Sequence, residues 1–553
     1  MKKIFFAAFI VLFSIVSADA TVRSEKKDIA SSISTFSAIV KQLQTNYVDS
    51  FDVNSVVKAG IDAMLSKLDP YTVYFDAKGQ ADFKAQNSGE YAGIGSFISK
   101  RGDYVIISGP REGSPAAKAG LRTGDKILAI DGEDMKGRSI DGVSEKLRGT
   151  VGSIAKVDIC RPWVADSMLT IEVVREKIFV PAVPYYGVVS NDIGFIELEQ
   201  FTEKSADEVK IALVDLIDNH SIKGLVLDLR NNGGGYLESA IRILSYFLPK
   251  GTEVLKTKGK GRLEEQTYKT TSKPIAPKLP LVVLIDGGSA SASEITAGAL
   301  QDLDRAVIIG LRSFGKGLVQ GTFGLPNDGL LKVTTAKYYI PSGRLIQAID
   351  YSNRNEDGSV SRVADSLISE FTTAAGRIVR DGGGITPDIE IKYPEFSRVT
   401  YKVVADSWVF DFANKYAAEN PQAPVLKPGF VTDSVYADFK KFIDPDRFEY
   451  DKVCEIALDE LRKIAKIEGY LSDEVEAQIK VLEGLMKHTL DADLDKSRSD
   501  IQKYLEQEIA ERYYYNRGRS YLSTCKDEMI DEAINVLLTP ERYAEILQPK
   551  VKK

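Results

Sequence analysis

Histidine is almost missing from this chain. Of 553 residues only His220 and His488 are histidine. A serine hydrolase commonly sets a histidine beside its nucleophile. Here His220 stands several residues before a buried-strand pattern and His488 lies far down a helical tail, so neither is placed to act as that base. Cysteine is scarce too. Cys160, Cys454 and Cys525 share no short spacing, which excludes a metal knuckle or a CxxC redox pair, and no metal or cofactor is expected. The formal net charge of −7 carries no basic excess, so nucleic acid is not an expected partner. Beyond the first 20 residues no apolar run reaches the about 20 residues of a membrane span.

What is present describes a folded, multidomain protein. A hydrophobic share of 44% and a charged share of 27% argue against disorder, and the length predicts three to five domains at roughly 100–200 residues each. Lys2 and Lys3 precede an apolar stretch from Ile4 to Val16, and Ala18-Asp19-Ala20 fits a small-x-small cleavage site. Residues 1–20 therefore read as an export signal. The expectation is a soluble, extracytoplasmic or periplasmic protein, with an uncleaved anchor as the alternative.

The texture changes along the chain. Residues 21–87 follow a helical pattern, with Ile39, Val40, Leu43 and Tyr47, then Val56, Val57, Ile61, Met64 and Leu65, at helical spacing. Asp69-Pro70 is expected to stop the second helix. Residues 88–178 alternate short strands with glycine turns. At their centre Ser114-Pro115-Ala116-Ala117-Lys118-Ala119-Gly120-Leu121 leads into Gly124 through Gly132, and a short helix over 140–147 precedes Arg148. This order resembles a bacterial PDZ domain, which adds an extended peptide as a strand and holds its terminal carboxylate on backbone amides. The matching loop is Tyr91-Ala92-Gly93-Ile94-Gly95. Arg148 reads as a surface arginine, with a charge link from bound peptide to the core as the other reading.

Strands and helices alternate over 179–395, the pattern of a mainly parallel sheet with crossover helices. Residues 396–553 are helical again, with apolar stripes over 435–442, 452–467, 473–490 and 501–513. No chemistry is evident in that tail, and it reads as a cap or an assembly surface for a second copy or a regulatory partner.

Candidate chemistry gathers in the third region. Ser291 and Glu294 form an S-x-x-E capping box that puts Ser291 at a helix start. A nucleophile there sits at the positive helix end, beside the Ala292 N–H, and both suit a developing oxyanion. Ser289 and Ser293 are less well placed alternatives. The same box equally describes a serine that only caps a helix. Lys316, between Gly315 and Gly317, can act as a base if burial lowers its ammonium from about 10.4; an exposed, ion-paired lysine is the alternative. Gln320 can hold the amine through a neutral hydrogen bond. Asp228-Leu229-Arg230-Asn231-Asn232-Gly233-Gly234-Gly235 follows a buried strand and can lend a glycine amide as a second oxyanion donor. It lacks the ending of a phosphate-binding Walker loop.

Taken with Leu68-Asp69-Pro70-Tyr71-Thr72 and Gly384-Ile385-Thr386-Pro387-Asp388, these motifs occur in the order of the carboxyl-terminal processing, or tail-specific, serine peptidases, over about residues 35–392. The resemblance implies Ser291 as nucleophile, Lys316 as general base, Gln320 as its orienting partner, and Gly234 and Ala292 as oxyanion donors, with Gly233 the neighbouring choice. It also implies a multidomain α+β chain with a PDZ domain (88–178) and a crotonase-like α/β peptidase core (179–395). A helical segment (21–87) precedes them and a helical domain (396–553) follows. The implied substrates are unfolded or tagged polypeptides taken by their C-terminal tails. Gly233 stands where many members have proline. The competing readings are a non-catalytic peptide-binding scaffold and an acyl-CoA enzyme, the latter disfavoured by export and the PDZ module.

Overall fold

The computed structural model describes residues 28–260, 265–355 and 358–549; the expected export signal lies outside them. The chain divides into two compact units. One takes the described residues up to Gln80 together with Gln320–Thr334, and the other takes Ala81–Val319 and Thr335 onward.

In the first unit a helix over 28–46 is followed by Val53–Leu65, whose start is capped by the Asp52 carboxylate accepting from the Asn54 and Ser55 amides. The second helix stops at Leu65, before the expected Asp69-Pro70 boundary. Asp69 instead closes a turn, its Oδ1 accepting from the Tyr71 and Thr72 amides at 2.8 Å. Val73–Phe75 is then a strand, paired antiparallel with residues 330–332. This differs from the helical pattern expected over the whole of 21–87. A β-branched and aromatic triplet suits a pleated surface, but three residues are too few to interrupt a helical period on paper.

The second unit begins with a small antiparallel sheet in which Ser96–Arg101, Tyr104–Pro110, Lys126–Ile130, Ile154–Cys160 and Met168–Val174 lie side by side in that order. Helices Pro115–Ala119 and Ile140–Leu147 close its core, which holds Val105, Ile107, Ile127, Val143, Val157 and Ile159. Ser96–Arg101 is an edge strand, so one row of its backbone groups is open to an added strand. The expected loop at 91–95 is shorter than the sequence suggests. Glu90–Gly93 forms a strand paired with Glu176–Phe179, which places Tyr91 and Gly93 in a ladder and confines the turn to Ile94 and Gly95. Gly95 has φ +74, and a Cβ there would stand 2.6 Å from Ser114 Cβ.

The larger sheet carries the site. Tyr185–Ser190 is antiparallel to Ile193–Glu197; then Gly224–Asp228, Leu281–Ile285, Val307–Gly310 and Ile389–Glu390 continue in parallel. The three middle strands are buried at every position, as parallel strands covered on both faces must be. Helices Ser205–Asp218, Leu237–Leu244 and Ala292–Asp302 pack in the core on one face. Met529, Ile530, Ala533, Val536 and Leu537, from helix Glu528–Leu537, meet Val226, Val282, Leu284, Val307 and Ile309 in the other. The helical domain expected over 396–553 reads as a cap or an assembly surface. Its helix Glu528–Leu537 completes the sheet's core, because a parallel sheet with one bare apolar face would be left exposed to water.

Other tail helices, among them Arg398–Ala405, Trp408–Glu419 and Asp433–Phe442, build a further core around Phe412, Phe439, Leu505 and Ile509. Among the described residues no helix is long and apolar enough to cross a membrane.

Candidate active site

Three serines share the turn between strand Leu281–Ile285 and helix Ala292–Asp302, and burial separates them. Ser289 and Ser293 are fully buried, and their hydroxyls donate to the carbonyls of Leu229 at 2.7 Å and Asn232 at 2.8 Å. Ser291 is half-buried. Its backbone sits at φ +57, ψ −112, outside the regions an L-residue prefers, a strain of the kind that clusters at functional sites. The turn is braced from below by Asp286, whose Oδ1 accepts from the Asn231 and Gly288 amides, each at 2.9 Å. Tyr393 donates to its Oδ2 at 3.0 Å.

Every residue of helix Ala292–Asp302 is buried, Glu294 included. In the sequence Glu294 shows only as half of a capping box. The structure makes it the hub of the site. Its Oε2 accepts from the Ser291 amide and from the Lys316 amide, both at 2.9 Å. Its Oε1 accepts from Ser313 Oγ at 2.5 Å and the Gly315 amide at 2.7 Å. Burial pushes this carboxyl up to about 7 against the pull of those donors. No spacing rule exposes this role, since three of the four partners of Glu294 lie 19 to 22 residues further on.

The Lys316 loop is built for close approach. Gly315 has φ +90, and a Cβ on it would stand 2.4 Å from Ala348 Cβ, while one on Gly317 would meet Gln347 N at 2.9 Å. Lys316 itself is half-buried. Thus the structure brings Ser291 and Lys316 onto two segments held by one carboxylate.

The oxyanion donors divide. Ala292 N is the first amide of the helix, among those left without a partner inside it. Gly234 lies against the serine, for a Cβ on it would stand 2.8 Å from both Ser291 Cβ and Ala292 N. Its own amide, however, donates to Asn232 Oδ1 at 2.9 Å. This differs from the expectation of an amide aimed at substrate: Asn232 is buried, with Nδ2 anchored on Leu198 O at 2.6 Å, and its side-chain oxygen captures the nearest N–H. A Cβ on Gly233 would meet nothing within 4 Å.

Gln320 belongs to the other unit. There its Nε2 donates to Thr334 Oγ1 at 3.3 Å, the Thr334 amide donates to Thr72 Oγ1 at 3.2 Å, and Thr72 donates to Asp69 Oδ2 at 3.1 Å. The motif at 68–72 thereby reaches Gln320 through hydrogen bonds. In the PDZ domain Arg148 pairs with Asp82 and lies over the Tyr91 ring at 5.4 Å, a surface arginine, as expected, whose ion pair is with the helix Ala77–Ser88.

Comparison with known proteins finds three matching family models. A model described as Peptidase family S41 matches residues 192–353, a PDZ domain model matches 106–161, and one described as Probable PDZ-protease, C-terminal helical domain, matches 399–537. A carboxy-terminal-processing protease of Bartonella bacilliformis is 39% identical over 353 residues, covering 63% of this chain and 80% of the relative. A probable CtpA-like serine protease of Staphylococcus aureus is 32% identical over 345 residues, covering 62% of this chain and 68% of the relative. Among solved structures, a photosystem II D1 C-terminal processing protease is 27% identical with a TM-score of 0.36, covering 65% of this chain and 86% of that one.

Proposed function

Since the chain belongs to peptidase family S41, with the carboxy-terminal-processing proteases, we propose that it is an exported endopeptidase that cuts polypeptides with a Ser291–Lys316 dyad. The observation that carries the proposal is the strained Ser291 turn, joined through Glu294 to the backbone of the Lys316 loop.

In this reading the neutral Lys316 amine takes the Ser291 hydroxyl proton as Oγ attacks the scissile carbonyl. The C–N bond then breaks and the ammonium returns its proton to the leaving amine. An acyl-Ser291 ester remains, and a water deprotonated by the same amine hydrolyses it. The oxyanion meets the Ala292 amide and the positive end of a fully buried helix. A second donor comes from the 233–234 glycines once the Gly234 amide leaves Asn232 or Gly233 takes its place. Gln320 is the orienting partner in this reading, a neutral side chain that does not stabilise the ammonium as a carboxylate would.

Substrate selection falls to the PDZ domain. Its open edge strand Ser96–Arg101 and the turn at Ile94–Gly95 suit an extended C-terminal tail.

The test is cleavage of an unfolded protein by purified enzyme beside Ser291→Ala and Lys316→Ala, with binding of a tail peptide measured in parallel. Both variants are expected to lose cleavage and keep tail binding. Cleavage that survives in Ser291→Ala refutes the dyad.

A further inference from the structure

Two side-chain atoms hold the main chains of Ser291 and Lys316. One is Glu294 Oε2, which accepts the amides of both residues. The other is the Tyr338 hydroxyl, which lies 2.5 Å from the Lys316 carbonyl and 3.2 Å from the Ser291 carbonyl. The same pair of residues is therefore gripped on its N–H side by a carboxylate and on its C=O side by a phenol. Building on the dyad reading above, we infer that Tyr338 is a positioning residue for peptide-bond cleavage, setting the separation of nucleophile and base.

The ring is suited to this work. Tyr338 is 1% exposed and packs in the main core with Ile340 and Ile346. Its own amide donates to the Gly317 carbonyl at 3.0 Å, so main chain and side chain both fasten strand Gly329–Tyr339 along the Lys316 loop. A hydroxyl on a ring with two side-chain torsions, locked in a packed core, is a fixed point from which a loop can be measured.

The two carbonyls do not depend on Tyr338 equally. Ser291 O also accepts from the Ile295 amide at 2.9 Å, within the helix. The Lys316 carbonyl takes the shorter of the two phenol contacts, 2.5 Å against 3.2 Å. Losing the phenol oxygen therefore releases the lysine's peptide unit more than the serine's. The nucleophile stays on its strained turn while the base acquires freedom to move, and a misplacement near 1 Å costs about a hundredfold in rate.

A structural role alone makes a different forecast. A buried tyrosine that merely packs lowers the melting temperature when changed to phenylalanine and leaves the chemistry of surviving enzyme intact. A positioning tyrosine changes kcat and the pH profile at unchanged KM, because substrate binding sits elsewhere.

The experiment is Tyr338→Phe in the full-length protein, measured beside Ser291→Ala with unfolded casein as substrate. The readouts are kcat, KM, melting temperature and the pH profile of kcat/KM. The expected result is a fall in kcat of about ten- to a hundredfold, KM within about twofold, and an acid limb moved to higher pH as water reaches the loosened amine. Replacing Tyr338 by p-aminophenylalanine restores a donor on the same ring and is expected to recover most of the rate. Unchanged kcat and pH profile in Tyr338→Phe, with Ser291→Ala inactive, overturns the inference and spares the dyad. If Tyr338→Phe folds poorly, kcat counted per folded molecule decides: depressed at unchanged KM it upholds positioning, and equal to wild type it refutes it; a fully folded p-aminophenylalanine protein whose kcat stays as low as that of Tyr338→Phe also refutes it. Cleavage that persists in Ser291→Ala brings down the dyad reading, and this inference with it.

Discussion

Helices of the PDZ domain and the helix at the centre of the peptidase core begin alike in sequence, at a serine, and begin differently in space. Ser114 and Ser139 are extended, at φ −70, ψ 161 and φ −73, ψ 162, and their side chains accept from the Ala117 and Gly142 amides. Ser291 stands at φ +57, ψ −112. An ordinary cap satisfies an orphan amide in a relaxed conformation. Ser291 occupies a sparsely populated one, worth roughly 1–3 kcal/mol of strain. What holds it there is its surroundings: a helix buried along its whole length and a Glu294 carboxylate that draws four donors to one point. The lesson is that a capping signature states where a helix starts, while the tertiary contacts of its third residue decide whether the serine serves the helix or the site.

The largest expected break in this comparison comes from Glu294→Gln. An amide of the same shape brings two N–H groups to a place where four donors already converge. Cleavage is expected to fall about a hundredfold as Ser291 and Lys316 lose their common anchor. Stability should fall by about 2 kcal/mol as buried donors go unpaired. Casein cleavage and a urea transition measure the two effects. An active, stable Glu294→Gln would make the Ser291 turn self-supporting.

Glu197 sharpens the contrast from the other side, as a half-buried carboxylate with one oxygen left without a donor. Its Oε2 has no hydrogen-bond partner, and burial, with Asp228 and Glu199 adding to it, pushes the carboxyl up to about 7. The folded state then binds the proton more tightly than the unfolded chain. Ionising Glu197 therefore costs stability as pH rises from about 4.5 to about 7, and the full cost stands above that window. Glu197→Gln is expected to add about 2 kcal/mol at pH 8 and little at pH 5. Urea midpoints at the two pH values test this, and an equal gain at both would assign the effect to packing instead of charge.

The smallest effect compares the serines directly. Glycine accepts the backbone of Ser291 without strain, so Ser291→Gly should gain about 1 kcal/mol while losing cleavage. Ser139→Gly, which removes an ordinary cap, should lose a few tenths of a kcal/mol with cleavage chemistry unchanged. Losses of the same sign at both positions would mean that position 291 is not strained.

Much of this architecture is legible in the amino-acid order. The helix after Ser291, the buried strands at 224–228 and 281–285, and the glycine-flanked Lys316 all follow from periodicity and local punctuation. The strand Val73–Phe75 does not, being too short to overcome the helical pattern around it. Nor does the taking of the Gly234 amide by Asn232, because a side chain that reaches back two residues or onward to Leu198 looks the same on paper. The role of helix Glu528–Leu537 is hidden for a different reason. An amphipathic stripe reports that a face is buried and is silent about what buries it.

By itself, then, the amino-acid order determined which residue types stand near one another along the chain: a serine at a helix start, a lysine between glycines, a glycine run after a buried strand, and an apolar stripe on each tail helix. Those are local properties, set by backbone sterics and the periods of helix and strand. Only the tertiary structure decided which of three serines is accessible, that a single carboxylate and a single phenol hold the backbones of Ser291 and Lys316, and that the tail closes the sheet. All but the Ser291–Glu294 bond join positions at least 22 residues apart. Burial makes them matter, because a charge or hydroxyl removed from water must find its partners wherever the chain has brought them.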